Sequence, residues 1–378
     1  MNYRTRIVSA LSEIGQAAWD ALVSVQAERN PFLSYAFLAA LHETGCAAPD
    51  SGWQPQYLTL WRGNELCAAL PLYVKSHSYG EYVFDWAWAD AYRRNGLAYY
   101  PKLLSAIPFT PVTGSRLLAR DAAAAQQLID ALYALQEHSG LSSTHILFPP
   151  AAQAQALQAA GFMLRSGVQF HWLNQGYRNF DDFLSALDRK KRKNIRAERR
   201  KVQEAGIRFR HVAGEDATEA DWRFFKRCYD RTYAAHYSTP YLNLEFFLRI
   251  GETMPQHIRL ILAERDGKPI ASSLVFHDRL ALYGRYWGAL EDVPCLHFET
   301  AYYQPLEFCI AHGIERFEGG AQGEHKMARG FLPEKTWSAH WLAHPAFADA
   351  IERFLQQESG GIDAYIDELD EHTPFKSP

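Results

Sequence analysis

Apolar positions along this chain switch repeatedly between period two and helical spacing. Tyr57-Leu58-Thr59-Leu60-Trp61 leads through Arg62-Gly63-Asn64-Glu65 into the apolar run Leu66 to Tyr73. Leu260 to Glu264 leads in the same way through Arg265-Asp266-Gly267-Lys268 into Ile270 to Phe276. Both passages predict hairpins with glycine turns. Leu280 to Ala289 alternates aromatic and small residues as a strand feeding a helix from Phe298 to Ala311. Behind Asn179 or Asp181 as a cap, Phe180, Phe183, Leu184 and Leu187 follow helical spacing. Strands mixed with helices along the whole chain predict an α/β fold with a mixed sheet (α+β).

The order of elements repeats. Gly161-Phe162 is followed by His171-Trp172-Leu173, and Gly330-Phe331 by His340-Trp341-Leu342 at the same distance. A short apolar strand precedes each, His145 to Phe148 and Ile314 to Phe317, and ahead of it a helix ending near Gly140 or Gly313. This order predicts a tandem duplication of one module, 1–174 and 175–378, with an insertion near 91–114 in the first copy. The second copy opens with a helical arm over 180–205.

Composition narrows the class. With 378 residues there is chain enough for two domains, and 48% hydrophobic residues exclude a disordered protein. No segment offers about 18 uninterrupted apolar residues, and Glu13, Gln16 and Asp20 interrupt the first stretch. The five cysteines are odd in number and never form a CxxC pair, which argues against a disulfide framework and a zinc knuckle. A cytoplasmic location without membrane spans is expected. The net charge of -4 hides an asymmetry: Arg189 to Lys201 holds nine basic residues and one acid, leaving 30 basic against 42 acidic residues elsewhere. Only Glu198 can neutralise this arm from within, so a polyanion is the expected partner. The arm is predicted to bind RNA, with Lys190, Arg192, Lys193, Arg196 and Arg200 meeting phosphates.

GxSxG, HExxH, GxxxxGK[ST] and a strand-linked GxGxxG are all absent, so serine hydrolase, zincin, P-loop and dinucleotide chemistry lose support. The histidines do not pair at ligand spacing, and no metal site is expected. What remains is Phe317-Glu318-Gly319-Gly320-Ala321-Gln322-Gly323-Glu324-His325-Lys326-Met327-Ala328-Arg329-Gly330-Phe331. Glycines just past a strand let backbone amides approach a ligand, and ionisable groups crowd the same loop. Glu318, Gly319, Gly320, Gln322, His325 and Lys326 are the candidate site residues of this loop. Arg285 interrupts the apolar strand Leu280 to Ala289 as a cleft-lining charge would, and with Tyr283 it joins the candidate site residues.

A glycine-turn hairpin, an aromatic strand, a helix, a strand ending in Phe-Glu-Gly-Gly, then a Lys and a Gly-Phe resemble one module of the GNAT acyltransferase fold. Two such modules with a basic helical arm resemble the Fem-type peptidyltransferases, in particular the FemAB-like branch, over roughly 30–341. The resemblance implies transfer of an acyl or aminoacyl group to an amine, with aminoacyl-tRNA as donor, a peptidoglycan-precursor peptide as acceptor and no permanently bound cofactor. It places Lys326 at the family's donor-side lysine, while His325 stands where the family usually has an aromatic residue; for such a transfer Glu318 or His325 is the expected base, and Gly319, Gly320, Gln322, Arg285 and Tyr283 the expected donor contacts. Ordinary GNAT enzymes hold acyl-CoA through a [Gln/Arg]-x-x-Gly-x-[Gly/Ala] loop at a helix start. Arg93, Gly96 and Ala98 fit that string ahead of an expected helix start near Pro101. An acyl-CoA-dependent N-acetyltransferase and a non-catalytic binding protein are the alternatives.

Overall fold

The computed structural model describes residues 3–320 and 323–376. They form two compact units, Met1–Gly167 with Lys335–Tyr365 and Val168–Glu334 with Ile366–Pro378. The two eleven-residue strands Met163–Leu173 and Leu332–Leu342 are each divided between the units. They begin one residue after Phe162 and Phe331, where the repeated Gly-Phe pattern places them.

The first unit has two sheets. Arg4–Val8, Tyr57–Arg62, Glu65–Leu70 and Leu118–Ala119 form an antiparallel four-stranded sheet around the expected hairpin. The turn succeeds because Gly63 takes φ +59, open to glycine at little cost. The second sheet contains, in order, Trp53–Pro55, Tyr73–Lys75, Lys102–Ser105, Ser143–Leu147 and the portion of Leu332–Leu342 from Lys335 onward. The helix Ala122–Ser139 starts on the Asp121 side chain, which accepts from the Ala124 amide at 2.7 Å, and ends at Gly140 with φ +65. It buries Ala124, Leu128, Ile129 and Leu132 against Leu58, Leu60, Leu70 and Ile146. Each fully buried leucine contributes roughly 1.5–3 kcal/mol. The expected insertion near 91–114 folds as the end of the helix Trp86–Arg94 followed by the strand Lys102–Ser105.

The second unit is a single mixed sheet. Ile207–Ala213, Ile258–Arg265, Lys268–His277 and Ala281–Ala289 form an antiparallel meander, and Arg316–Glu318 adds in parallel to its last strand. Residues 171–173 then pair antiparallel with Arg316–Glu318. The second hairpin therefore shares a sheet with the Phe-Glu strand, whereas the first lies in a sheet apart from Ser143–Leu147. The helix Glu219–Ala235, capped reciprocally by Thr218 and Asp221, buries Trp222, Phe225 and Tyr229. It lies so close to the sheet that a Cβ on Gly288 would meet the Cys228 carbonyl oxygen at 2.0 Å.

The arm differs from the single helix that periodicity predicts. Phe180–Ala186, capped by Asn179, and Arg189–Glu204 are separate helices. Between them Leu187 is extended and bridges Phe375, and the Asp188 amide donates to the Pro374 carbonyl at 2.9 Å. The chain's last residues thus take up backbone groups that a continuous helix would bond internally. Ile195 and Val202 form the buried stripe of the basic helix, which stops at Gly206. All five cysteines are free thiols. No described helix is long and apolar enough to cross a membrane.

Candidate functional site

A parting of strands creates the site. Ala281–Ala289 and Arg316–Glu318 pair only at Ala281 with Arg316, Leu282 with Phe317 and Tyr283 with Glu318. Beyond that point they separate, and the gap is a cavity of about 130 Å³ lined by Gly284, Arg285, Tyr286, Gly319, Gly320 and Tyr302, among others. On the opposite edge of Ala281–Ala289 the register slips: Leu274 faces Tyr286 while Val275 faces Gly284. Arg285 is the extra residue of that bulge, and a bulge re-aims its side chain. This explains how a charged residue in an aromatic strand comes to line the cavity.

Gly319 and Lys326 fit together. A Cβ on Gly319 would meet Phe331 at 3.0 Å and the Lys326 Cδ at 3.3 Å, so the missing side chain is the space through which the lysine stem passes. Gly320 has φ +87 and turns its carbonyl to accept from the Lys326 Nζ at 2.7 Å. Lys326, in the 3-10 turn Glu324–Arg329, is 2% exposed, and burial lowers its pKa to about 7. Gln322 lies outside the described residues.

An aromatic group surrounds the next residue. The His325 ring is exposed, with its centroid 6.0 Å from Tyr302, 6.1 Å from Phe298 and 6.5 Å from His297, and its Nε2 is 3.3 Å from the Tyr302 hydroxyl. Partial burial, then the charges of Arg329 and Lys326, hold its pKa below the usual histidine value. His297 is lowered to about 4, first by burial and then by His325, Arg329 and Lys326. Trp287 and His297 also belong to a larger cavity of about 430 Å³, whose walls include Arg231, His236, Asp292 and Cys295. The sequence reading missed His297 and Tyr302. Their only signal was the run of rings entering the helical stretch, His297-Phe298 and Tyr302-Tyr303.

Glu318 and Tyr283 stand elsewhere. Glu318 is 4% exposed, accepts from the Arg316 Nε at 3.0 Å and lies 3.9 Å from the His171 Nε2. Burial pushes its carboxyl up to about 7. Tyr283 is 2% exposed and hydrogen-bonds Arg316. Neither lines the two cavities, and neither do His325 and Lys326; the difference is that Lys326 bonds the lining residue Gly320 and His325 stands against the lining residues Tyr302 and His297, whereas Glu318 and Tyr283 bond Arg316.

The basic helix meets the same turn. Glu198, its one acid before Glu204, accepts from the Arg329 Nη2 at 2.9 and 3.0 Å and from the Tyr303 hydroxyl. Arg329 also donates to the His325 carbonyl at 2.7 Å and lies 3.4 Å over the Phe298 ring. Arg199 pairs with Glu299 and Glu307 at 2.9 and 2.8 Å, and Arg196 with Asp181 at 3.2 Å. Acids outside the helix therefore neutralise part of the arm. Arg192 donates to the Ser185 carbonyl at 3.4 Å. Lys190, Lys193 and Arg200 are exposed and have no ion pair among the described residues.

The expected CoA loop is corrected. Arg93 stands in the last turn of Trp86–Arg94, its side chain 80% exposed and paired with Asp90, and Gly96 with φ +71 follows the end of that helix. The next element is the strand Lys102–Ser105, so no helix start presents amides to a pyrophosphate there.

A family described as FemAB_like, peptidoglycan biosynthesis/recognition, matches residues 10–377. Among curated proteins no sequence match is found. The solved structure of FemX superposes with a TM-score of 0.58 at 11% identity, covering 92% of this chain and all of that one. The C-terminal domain of a putative lysylphosphatidylglycerol synthetase from Agrobacterium fabrum gives 0.55 at 11%, covering 91% and 96%. L-PGS from Bacillus licheniformis gives 0.54 at 9%, covering 92% and 97%. At these identities the likeness is one of fold.

Proposed function

The chain belongs to the FemAB-like family, and from that premise we propose that it transfers an aminoacyl or acyl group to an amine, on a peptidoglycan-precursor peptide, at the gap beside Lys326. One observation carries the reading: a lysine 2% exposed, without a carboxylate within ion-pair distance among the described residues, its Nζ bonded to the carbonyl of Gly320, which lines the strand-gap cavity. Burying such a group is costly, and a perturbed lysine in a cleft is a functional-site signature.

In the proposed reaction the neutral acceptor amine attacks the carbonyl carbon of an aminoacyl-tRNA ester. As the C–N bond forms, the carbonyl oxygen becomes an oxyanion, which the Lys326 ammonium stabilises. His325, kept neutral at pH 7 by its lowered pKa, takes the proton from the attacking nitrogen. Collapse breaks the ester C–O bond, and the departing ribose oxygen takes up that proton. Arg285 contributes positive charge to the cavity wall, and the exposed Lys190, Lys193 and Arg200 meet donor phosphates. No resident cofactor or metal enters these steps.

Lys326→Ala removes the oxyanion partner and is expected to slow transfer by about 10²–10³-fold while the far-UV circular dichroism stays that of the wild type. An unchanged rate removes Lys326 from the chemistry. Acyl-CoA as donor is distinguished by supplying each donor separately to the same acceptor.

A further inference from the structure

One loop of the first unit, away from the chemistry above, presents aromatic rings to solvent. Tyr79, Phe84 and Trp86 are 58%, 58% and 40% exposed within a single stretch of chain. The Tyr79 and Trp86 rings are 4.9 Å apart, and His77 stands 5.3 Å from Tyr79. Isolated exposed rings need no explanation, but the paired Tyr79 and Trp86 rings, with Phe84 exposed two positions before Trp86, mark an interaction surface.

The loop is fastened from below. The buried Lys102 Nζ donates to Glu81 and to Ser78 at 2.8 Å, and it pairs with Asp85. The Tyr99 hydroxyl donates to Asp85 at 2.6 Å, and the Arg165 Nη1 donates to the Phe84 carbonyl at 2.6 Å. Acids flanking the rings thus point inward and the rings point outward, with no ordering left to do when the surface meets a partner. Trp86 opens the helix Trp86–Arg94, and Arg93, seven residues on, shares its face. Arg93 and Arg94 have side chains 80% and 69% exposed, and their one counter-ion among the described residues is Asp90, which leaves that group of three with one positive charge in excess. Leu97, just past the helix, is 39% exposed.

We infer that this surface docks onto the interfacial layer of an anionic lipid bilayer. Trp and Tyr rings combine an apolar body with a polar edge and settle at headgroup depth, and adjacent arginines favour anionic lipid. A glycan would also stack on such rings, but it would need free carboxylates to accept from its hydroxyls. Here Asp90 is engaged with both arginines, while Glu81 and Asp85 are buried. The bilayer is the partner the chemistry favours, and this does not rest on the transfer reaction.

The test is co-sedimentation of the full chain with vesicles of phosphatidylglycerol and phosphatidylcholine in equal parts, and of phosphatidylcholine alone. The wild type is expected to bind the anionic vesicles and to bind neutral ones far less. Phe84→Ser with Trp86→Ser weakens anionic binding on the order of tenfold, and Arg93→Gln with Arg94→Gln removes the preference for anionic lipid. Both variants change exposed side chains, so their thermal unfolding is expected to match the wild type. Absence of wild-type binding, or an aromatic variant that binds equally well, overturns the proposal. So does binding of soluble peptidoglycan fragments that the aromatic variant loses while its vesicle binding is unchanged.

Discussion

Glu198→Ala tests how the basic helix is coupled to the proposed site. In the folded chain Glu198 is bonded to Arg329 and Tyr303, and Arg329 in turn holds the His325 carbonyl next to Lys326. The Arg329 side chain is 7% exposed and that of Glu198 21%. Removing one partner of a fully buried pair costs about 3–5 kcal/mol, because the other charge is left uncompensated. Water reaches the Glu198 side, and Arg329 keeps its carbonyl and its place over Phe298, so about 2–3 kcal/mol is expected here. The assay is urea unfolding of Glu198→Ala beside Glu204→Ala, which removes an exposed acid of the same helix and should cost under about 0.5 kcal/mol. Transfer should also slow in Glu198→Ala, since the turn holding His325 and Lys326 loses its support. Equal urea midpoints for the two variants would refute the coupling.

Three further outcomes follow from the same groups. In the proposed reaction Lys326 works as a cation, and with its pKa lowered to about 7, kcat/KM should fall on the alkaline side of about pH 7, and Lys326→Arg should move that limb upward. Lys75 and Lys326, both lowered from 10.5 to about 7 by burial, bind fewer protons folded than unfolded between those values. Stability should therefore rise with pH from about 7 toward 10, and Lys326→Met should flatten that rise in urea unfolding followed between pH 7 and 9.5. Labelled tRNA should bind with a log-log salt slope of roughly -0.7 per contacted phosphate, and Lys190→Gln, Lys193→Gln and Arg200→Gln together should reduce its steepness; no binding at low salt contradicts an RNA donor.

Local patterning carried much of the fold. The two glycine-turn hairpins, the helix capped by Asn179 and the strands after each Gly-Phe were legible because spacing and turn residues act over a few positions. The break at Leu187 was not, since it depends on pairing with Phe375, far along the chain. Likewise the sheet that each hairpin joins is a long-range choice that the matching sequences of the two passages conceal. At the proposed site, the glycine-rich loop drew attention to Lys326 and His325, and Arg285 stood out as a charge in an aromatic strand. Glu318 and Tyr283 looked equivalent to them in sequence. Of these residues only Arg285 lines the strand-gap cavity; its place depends on where two strands stop pairing and on the bulge, and neither has a local signature. Arg93, Gly96 and Ala98 matched a degenerate string whose chemistry requires a helix start, and the chain instead ends a helix there. The acid deficit was counted within Arg189 to Lys201 alone, whereas Asp181, Glu299 and Glu307 supply acids from outside that stretch.

The central claim is that this chain forms an amide bond at Lys326. The most direct measurement is mass spectrometry of a peptidoglycan-precursor peptide bearing a free amine, incubated with the protein and aminoacyl-tRNA, and separately with acyl-CoA. The account predicts a mass increase of one aminoacyl residue on that amine, lost with Lys326→Ala while the variant still binds the peptide. An unmodified peptide with either donor, bound equally by wild type and Lys326→Ala, would contradict it and leave a protein that recognises its ligand without transferring anything to it.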